Sequence, residues 1–468
     1  MAVKVGIIVT NQTQFSLANW LGFVCRSSLL TFGFLKQSDM KYSPIPSQLF
    51  TTNRQKLSRQ LKSNSVAIFN SNDIMPTNAD GTMPFRQNND LFYLSGVDQE
   101  ESILLLFPDS PTEKFKEVLF LKKTSEEIAI WEGEKLTKER ATEVSGINTI
   151  MWLEDFNKSL NAIIYEAEHI YLNDNEHLRA GNKVETADDR FRKWCKAEYP
   201  LHRYERVAPI MHELRAVKEA EEVDLMQQAC DITAKGVERI LKFIKPGVME
   251  YEIEAELMHE FLRNRSRGFA YSPIIAAGSN ACVLHYIENN QRVEDGDIIL
   301  MDFGAEYANY ASDLTRSVPA NGKFTERQKE IYTAVLTVMK QATAILRPGI
   351  TLPIYHQKVG EMMTEQLLKL NLLSEEEVRN QDPAWPAYKK YFMHGTSHYI
   401  GLDVHDVGSW TKPLRAGNVF TVEPGIYIRE ENLGIRLEND ILLGEEKNVD
   451  LMAKIPLEIE EIEAAMQA

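Results

Sequence analysis

Four acidic residues in the second half of the chain have the types and neighbours expected of metal ligands: Asp302, Asp313, Glu423 and Glu438. They stand beside apolar runs that predict buried strands, where an uncompensated carboxylate is costly. Carboxylate oxygens completed by one imidazole suit Mn²⁺, Co²⁺, Fe²⁺ or Zn²⁺, and the arrangement does not resemble a calcium loop. Two bridged ions would lie roughly 3.5–4 Å apart, and a water between them would lose a proton and become a nucleophile. The residues therefore predict a hydrolytic centre with two divalent ions.

Two predicted hairpins would bring these acids together. We expect the first to turn between Tyr307 and Ala308, which would place Asp302 and Asp313 opposite one another. In the second, the two glutamates straddle an even-numbered loop at 429–432, so they too would face one another. Opposed residues hold their Cβ atoms about 4.5–5.5 Å apart. Carboxylates at that distance repel unless a cation lies between them or one of them takes up a proton.

The chain has ten histidines, and four of them cluster around these acids: His285, His394, His398 and His405. The other six lie in charged or helical segments without a partner motif, and we expect them to be structural: His169, His177, His202, His212, His259 and His356. The sequence contains no H-E-x-x-H zinc helix, no G-x-S-x-G nucleophile elbow and no G-x-x-x-x-G-K-[ST] phosphate loop. A histidine of the cluster is therefore the expected imidazole ligand.

The second half of the chain repeats itself. Residues 245–247 (Lys-Pro-Gly) and 347–349 (Arg-Pro-Gly) each close a predicted helix, and a His-Tyr-Ile triplet follows each of them. Residues 293–304 then align with residues 414–425, so that an acid falls on an acid and glycines fall on glycines. Two repeats are too few for a solenoid. The pattern predicts one pseudo-symmetric domain with a site between its halves.

The first half predicts an α/β domain. Three apolar runs are typical of buried strands: Ser65–Phe69, Ser102–Phe107 and Val118–Leu121. Helical periodicity is found near residues 136–144 and 188–197 of this half, and a charged helix is predicted at 217–243, after it. We expect a boundary near residue 210, which divides the chain into domains at 40–210 and 211–468.

Composition narrows the classes of function. Lys and Arg number 52 and Asp and Glu 68 among 468 residues, for a formal net charge of −16, which argues against nucleic-acid binding. Four cysteines without a C-x-x-C pair argue against a disulfide framework and against a thiolate zinc site. We therefore expect a reduced, cytoplasmic compartment, and no membrane association.

Residues 1–39 have a different character. The segment has no acid before Asp39, and its apolar run from Phe15 to Leu35 is interrupted by polar residues and lacks a clean cleavage site. We expect an extension, either upstream of a true start at Met40 or disordered. A signal or transit role for this segment stays open as the alternative.

Several segments resemble a known family. In the second half they are residues 394–408, 421–427 and 434–440, and in the first half residues 85–96 and 131–133. They are similar to aminopeptidase P, the proline-specific branch of the pita-bread metallopeptidases, over about residues 42 to 455. The resemblance implies an α/β (α+β) fold. A creatinase-like α/β amino-terminal domain would precede a pseudo-symmetric pita-bread domain with a curved antiparallel sheet.

The resemblance also implies roles for individual residues. Two divalent ions, with Mn²⁺ expected first and Co²⁺, Fe²⁺ or Zn²⁺ as alternatives, would be held by Asp302, Asp313, His398, Glu423 and Glu438. Glu423 would carry a proton from the bridging water to the leaving nitrogen, and His285 and His405 would hydrogen-bond the oxyanion. The substrate pocket would be shaped by His394, Arg436 and Tyr427.

Two departures from the family pattern affect substrate preference more than chemistry. The loop at 407–415 is short, so an arginine that some relatives carry there has no clear equivalent. Phe92 aligns with a tryptophan that walls the pocket in some relatives.

The implied activity is metal-dependent release of the amino-terminal residue from peptides whose second residue is proline, by a homodimer or homotetramer. A prolidase, which cleaves only Xaa-Pro dipeptides, is the first alternative. A non-catalytic pita-bread module that binds peptides is the second, and the full set of ligands argues against it.

Overall fold

A computed structural model of the chain describes residues 42–181 and 183–468. Its helices are α1 (Ser47–Ser58), α2 (Asn89–Ser95), α3 (Glu126–Trp131), α4 (Lys138–Ser145), α5 (Phe156–Ile164), α6 (Ala187–Glu198), α7 (Ala208–Ala216), α8 (Ala220–Phe243), α9 (Glu250–Arg263), α10 (Glu326–Ile345), α11 (Leu352–Lys369), α12 (Glu375–Arg379) and α13 (Ile459–Gln467). Its strands are β1 (Ser65–Asn70), β2 (Ser102–Leu106), β3 (Glu117–Leu121), β4 (Thr149–Trp152), β5 (His169–Leu172), β6 (Arg203–Arg206), β7 (Ile274–Ala277), β8 (Ile298–Phe303), β9 (Glu306–Tyr307), β10 (Tyr310–Ala311), β11 (Leu314–Pro319), β12 (Val419–Val422), β13 (Gly425–Ile428), β14 (Leu433–Arg436), β15 (Asn439–Leu442) and β16 (Val449–Asp450). Across those two ranges, no helix has the length and apolar character to span a membrane. The expectations for residues 1–39 lie outside the described part of the chain.

The first six strands form one mixed sheet in the order β4-β3-β2-β1-β5-β6. Strand β1 is buried along its whole length because both of its faces are covered. Val66 and Ile68 pack on one side with Leu160 of α5, and Ala67 and Phe69 belong to the core on the other side. The three strands predicted in this half are confirmed to within one residue at each end.

Helices α8 and α9 precede the first hairpin, and α10 and α11 hold the same place before the second. The backbone repeats in detail. The Gly247 amide donates to the Val293 carbonyl at 2.8 Å, and the Gly349 amide donates to the Leu414 carbonyl at 2.9 Å. Both glycines have positive φ, +98° and +90°, which other residues rarely adopt. These equivalent contacts confirm the predicted internal repeat.

The antiparallel strands of the second half group around two hairpins. Strands β7, β8 and β11 form one three-stranded sheet, β12, β15 and β16 form another, and β13 pairs with β14. A single bridge from Thr315 of β11 to Glu438 links the hairpins, with the Glu438 amide 3.1 Å from the Thr315 carbonyl. The acids of both hairpins therefore converge on one place.

The second hairpin has the predicted register. Gly425 pairs with Arg436 on one side and Val422 pairs with Asn439 on the other. Position 423 therefore lies opposite position 438, as the even loop predicted.

The first hairpin turns one residue later than predicted. Asp302 pairs with Thr315, so the prediction that it lies directly opposite Asp313 is wrong. The turn consists of Ala308 and Asn309, with φ of +53° and +69°, the pattern of a type I′ turn. Asparagine tolerates this left-handed conformation and fixes the turn there. Asp313 still lies on the same face, diagonal to Asp302 instead of opposite.

The region of the predicted domain boundary is helical. Residues 208–216 form α7, and α8 begins only at Ala220, three residues after the predicted start of that helix at 217. Glu219 closes a capping box with Glu222, which fixes the start of α8. The position of the boundary near residue 210 stays a prediction.

Candidate metal centre

Three buried side chains bring their ligand atoms within 4.8 Å of one another: Asp313, His398 and Glu438. Asp313 immediately precedes β11, and Glu438 stands between β14 and β15. His398 lies in a loop that runs along β12, where its amide donates to the Thr421 hydroxyl at 3.1 Å. Each of the three is 6% exposed or less, so water competes weakly for their ligand atoms.

The His398 ring is prepared to act as a ligand. Its Nδ1 lies 3.0 Å from the Tyr399 carbonyl oxygen, and donation to that acceptor leaves Nε2 with a free lone pair. Burial lowers the pKa of His398, which keeps the ring neutral. Nε2 lies 3.5 Å from an Asp313 oxygen and 3.6 Å from a Glu423 oxygen. An ion at this point would contact one nitrogen and several carboxylate oxygens.

The acids of the centre hold protons when no ion balances their charge. Burial raises the pKa of Glu423 to about 7. The pKa values of Asp313 and Glu438 are raised well above their usual range by burial, and further by neighbouring carboxylates. A divalent ion would replace these protons, since crowded carboxylates favour whichever cation is available. The hard oxygen-rich donor set therefore fits divalent ions of the Mn²⁺ type.

Tyr271 is part of the centre, and sequence analysis missed it. Its hydroxyl contacts an oxygen of Asp302 at 2.5 Å and also contacts Asp313. The hydroxyl therefore lies between the two carboxyl groups and joins them. Tyr271 stands in the loop before β7, and no motif or spacing singles it out.

Arg436 connects the two hairpins behind the metal group. Its guanidinium donates to Asp302, to the Tyr427 hydroxyl at 2.9 Å and to the Thr315 hydroxyl at 3.2 Å. Thr315 in turn donates to Glu438 at 2.6 Å. Arg436 is only 4% exposed, so its guanidinium contacts these protein groups and not water. It fixes the orientation of two of the predicted metal ligands.

The remaining predicted pocket residues extend this network. His394 Nε2 lies 2.7 Å from the Tyr427 hydroxyl, and its Nδ1 lies 2.8 Å from the Gly395 carbonyl oxygen. The His394 ring is also 3.5 Å from a Glu423 oxygen. Burial and the charge of Arg436 lower the pKa of His394 to about 3, so the ring is neutral. A neutral ring at this position can accept or donate a hydrogen bond without repelling a cation.

The other two predicted catalytic histidines lie at the exposed edge of the centre. The His405 ring is 4.2 Å from the His398 ring, centroid to centroid. Arg179 of the amino-terminal half donates to His405 at 2.9 Å, a contact that sequence analysis missed. His285 is exposed and lies near His394 and His405. Both predicted catalytic histidines are therefore open to solvent beside the metal group.

Two further residues that the sequence singled out have supporting or packing roles. His356, predicted to be structural, accepts from the Thr396 amide at 3.1 Å and so supports the loop that carries His394 and His398. Phe92 is fully buried, and its ring packs edge-on against that of Phe50, 6.0 Å from it between centroids.

Comparison with known proteins places these residues in a family. Residues 224–445 match metallopeptidase family M24, and residues 50–171 match the aminopeptidase P N-terminal domain. Xaa-Pro aminopeptidase of Escherichia coli (strain K12) is 35% identical over 440 residues, which are 91% of this chain and 99% of the relative.

Solved structures support the same family assignment. The structure of an aminopeptidase P from Bacillus anthracis matches with a TM-score of 0.84 at 33% identity, over 90% of this chain and 99% of that one. Zn-substituted E. coli aminopeptidase P in complex with product matches with a TM-score of 0.81 at 33% identity, over 91% of this chain and 99% of that one. With the metal-binding group in place, the chain belongs to metallopeptidase family M24, in its aminopeptidase P branch.

Proposed function

We propose that this protein is an Xaa-Pro aminopeptidase that releases the amino-terminal residue from peptides with proline at the second position. The observation that carries the proposal is the buried group of Asp313, His398 and Glu438 with Glu423 beside it. That group stands in a chain that matches Xaa-Pro aminopeptidase over nearly its whole length. Relatives with this name act on peptides, and the intact donor set argues for catalysis over mere binding.

Five residues would hold two divalent ions: Asp302, Asp313, His398, Glu423 and Glu438. Bound ions of this kind polarise a peptide carbonyl and lower the pKa of water. The convergence of both hairpins at the bridge between Thr315 and Glu438 supports this assignment. The hydrogen bonds of Arg436 and Tyr271 would hold the carboxylates in place.

Glu423 is the residue we assign to proton transfer. Its carboxylate lies beside the metal group, 3.6 Å from His398 Nε2, and a carboxylate in that position can serve first as general base and then as general acid. It would take a proton from the attacking water and deliver it to the proline nitrogen as the bond breaks. His285 and His405 would donate to the oxygen that becomes negative. His394 and Tyr427, with Arg436 behind them, would orient the substrate.

Further features belong to the same proposal. We assign Mn²⁺ as the working metal, because the donor set is dominated by hard oxygens.

We also propose a division into an amino-terminal domain at 40–210 and a catalytic domain at 211–468. The proposed assembly is a homodimer or homotetramer, and the proposed location is cytoplasmic. The acidic balance of −16 favours peptide substrates over nucleic acid.

The test is a substrate panel assayed with protein stripped of metal and then supplied with Mn²⁺. Ala-Pro-Ala should be cleaved, while Ala-Ala-Ala should not, and the dipeptide Ala-Pro should react more slowly than the tripeptide. Cleavage of the dipeptide alone would replace the proposal with a prolidase. A protein that cleaves none of the three with Mn²⁺ would be a binding module.

A further inference from the structure

A polar cavity of about 520 Å³ lies beside His405 and is lined by residues of the His405 loop and of the amino-terminal half of the molecule. His405 and Arg179 stand in its wall at the end near the metal group, where the His405 ring contacts the His398 ring. Asn173 and Asp188 line it on the side of the amino-terminal sheet. Its volume falls in the range of small-molecule sites and exceeds that of one side chain.

Asn173, in the wall of the cavity, has an unused acceptor. The residue follows β5 directly and is only 4% exposed. Its side-chain oxygen is buried and has no hydrogen-bond partner among the described residues. A buried carbonyl oxygen without a donor costs about 1–3 kcal/mol, so such atoms point to a missing partner. The partner must be a hydrogen-bond donor.

Asp188 offers a second acceptor in the same cavity. It lies in the first turn of α6 and is 8% exposed. Its two oxygens accept from the Asn70 and Asn88 amides, at 2.8 and 3.3 Å. A carboxylate can accept about four hydrogen bonds. In the described part of the chain no cation lies within 4.0 Å of it to form an ion pair. Burial raises its pKa to about 7, as expected for a carboxyl group without a cation.

The other carboxylates of the cavity wall are already in ion pairs, and the Arg179 guanidinium contacts the His405 ring. Arg215 is paired with Asp90 at 2.9 Å and with Asp403 at 2.8 Å. Glu176 pairs with Arg206, which does not line the cavity. Asp188 is therefore the wall carboxylate that an incoming cation would pair with.

We propose that the cavity binds the side chain of a basic residue, lysine or arginine, on the carboxyl side of the proline in the peptide substrate. Its ammonium or guanidinium group would donate to Asp188 and to the Asn173 side-chain oxygen. The inference rests on the proposed function and extends it. An aminopeptidase leaves one residue on the amino side of the scissile bond, whereas the rest of the peptide continues on the other side. A cavity that lies beside His405 and outside the group of predicted metal ligands suits that continuing chain.

The test compares kcat/KM for three tetrapeptides with the Mn²⁺-loaded, full-length protein. Ala-Pro-Lys-Ala should exceed its norleucine counterpart in kcat/KM by about tenfold, which corresponds to about 1.4 kcal/mol. Asp188→Asn should reduce that ratio to about one, and Asn173→Ala should reduce it in part. Glu176→Gln, in the same wall but with its own cationic partner, should preserve the ratio.

Each other outcome contradicts the inference. If the wild-type protein cleaves both peptides at equal rates, it has no subsite for a basic side chain. The proposed function is unaffected by that result. A preference for Lys-Pro-Leu-Ala that Asp188→Asn abolishes would place the subsite on the amino side. If Glu176→Gln also loses the preference for lysine, that preference comes from the overall negative charge of the cavity and not from Asp188. If Asp188→Asn melts at a lower temperature than the wild-type protein, its loss of preference is not counted. The ratio of kcat/KM values measured with Asn173→Ala then decides whether the subsite exists. No cleavage of any peptide refutes the proposed function itself.

Discussion

Glu423 has two assigned tasks, to hold an ion and to move a proton. Replacing it by glutamine keeps its size but removes its basicity. We expect Glu423→Gln to lower kcat on Ala-Pro-Ala by about 100-fold or more, the scale of general acid–base catalysis. The matched control is Glu430→Gln, an exposed glutamate in the turn of the same hairpin, which should leave kcat unchanged. A Glu423→Gln protein with wild-type kcat would refute the proton-transfer role.

Tyr271 gives a second prediction for a single residue. Its hydroxyl joins Asp302 to Asp313, so Tyr271→Phe should let the two carboxylates separate. We expect a loss of about 10- to 100-fold in Mn²⁺ affinity or in kcat, the usual effect of removing a group that orients metal ligands. Mn²⁺ titration of stripped protein measures the affinity. Tyr251→Phe, on the exposed face of α9, serves as control, and equal behaviour of the two variants would contradict the role.

For individual residues, the sequence identified the site where the chemistry of metal binding allows only a few residue types. Acids beside apolar strands and histidines near them are unusual enough to be noticed one at a time. Tyr271 and Arg179 are common residue types in ordinary segments, and only the folded chain brings them to Asp302 and His405. Their contribution depends on distances that spacing along the chain does not contain.

Among the elements, α7 and the segment after it hold the His405 loop through a buried ionic cluster. Lys218 donates to Asp406 at 2.8 Å, and Arg215 donates to the same carboxylate at 2.6 Å. Removing one partner leaves a buried charge incompletely balanced. We expect Lys218→Met to lower the free energy of unfolding by about 3 kcal/mol.

Denaturant unfolding measures this loss. Lys412→Met is the matched control, because Lys412 pairs with Glu213 but its side chain is 65% exposed. An exposed pair contributes about 0–1 kcal/mol, so the control should differ little from wild type. Equal losses in the two variants would show that burial of the cluster does not matter.

The two hairpins show what can be predicted about elements. The second has a four-residue loop whose ends are marked by apolar strand residues, and its register was predicted correctly. The first turns at Ala308 and Asn309, and an alanine with positive φ is a poor signal for a type I′ turn. A shift of one residue in the turn moved the partner of Asp302 by two residues, which keeps its face but changes its neighbour.

For the whole molecule, the acids of the centre predict how stability depends on pH and metal. Glutamate in an unfolded chain has a pKa near 4.3, whereas that of Glu423 is raised to about 7 by burial. The folded, ion-free protein therefore binds more protons than the unfolded chain between these values. Its free energy of unfolding should fall as the pH rises from about 4.5 to 7.

Bound Mn²⁺ would take the place of these protons, so the increase in melting temperature that it causes should grow over the same interval. Thermal melts in chelator and in Mn²⁺, at steps from about pH 5 to pH 8, measure both trends. A metal-induced increase that stays constant with pH would contradict the account of a crowded carboxylate group.

The overall architecture was predictable because the internal repeat can be recognised in the sequence. Equivalent helices, glycines and strands recur in both halves of residues 211–468, and the hydrogen bonds of Gly247 and Gly349 repeat as the alignment implied. The cavity at Asn173 and Asp188 was not predictable. Its walls come from segments far apart in the chain, including residues 87–90, 173–180 and 403–407.

The central claim is that the metal centre breaks the bond between the first residue and proline. The most direct test is mass-spectrometric identification of the products from Ala-Pro-Ala, with stripped protein before and after addition of Mn²⁺. The account predicts an intact tripeptide without metal, and alanine with the dipeptide Pro-Ala after Mn²⁺ is added. Release of Ala-Pro, or a tripeptide that stays intact in Mn²⁺, would contradict it.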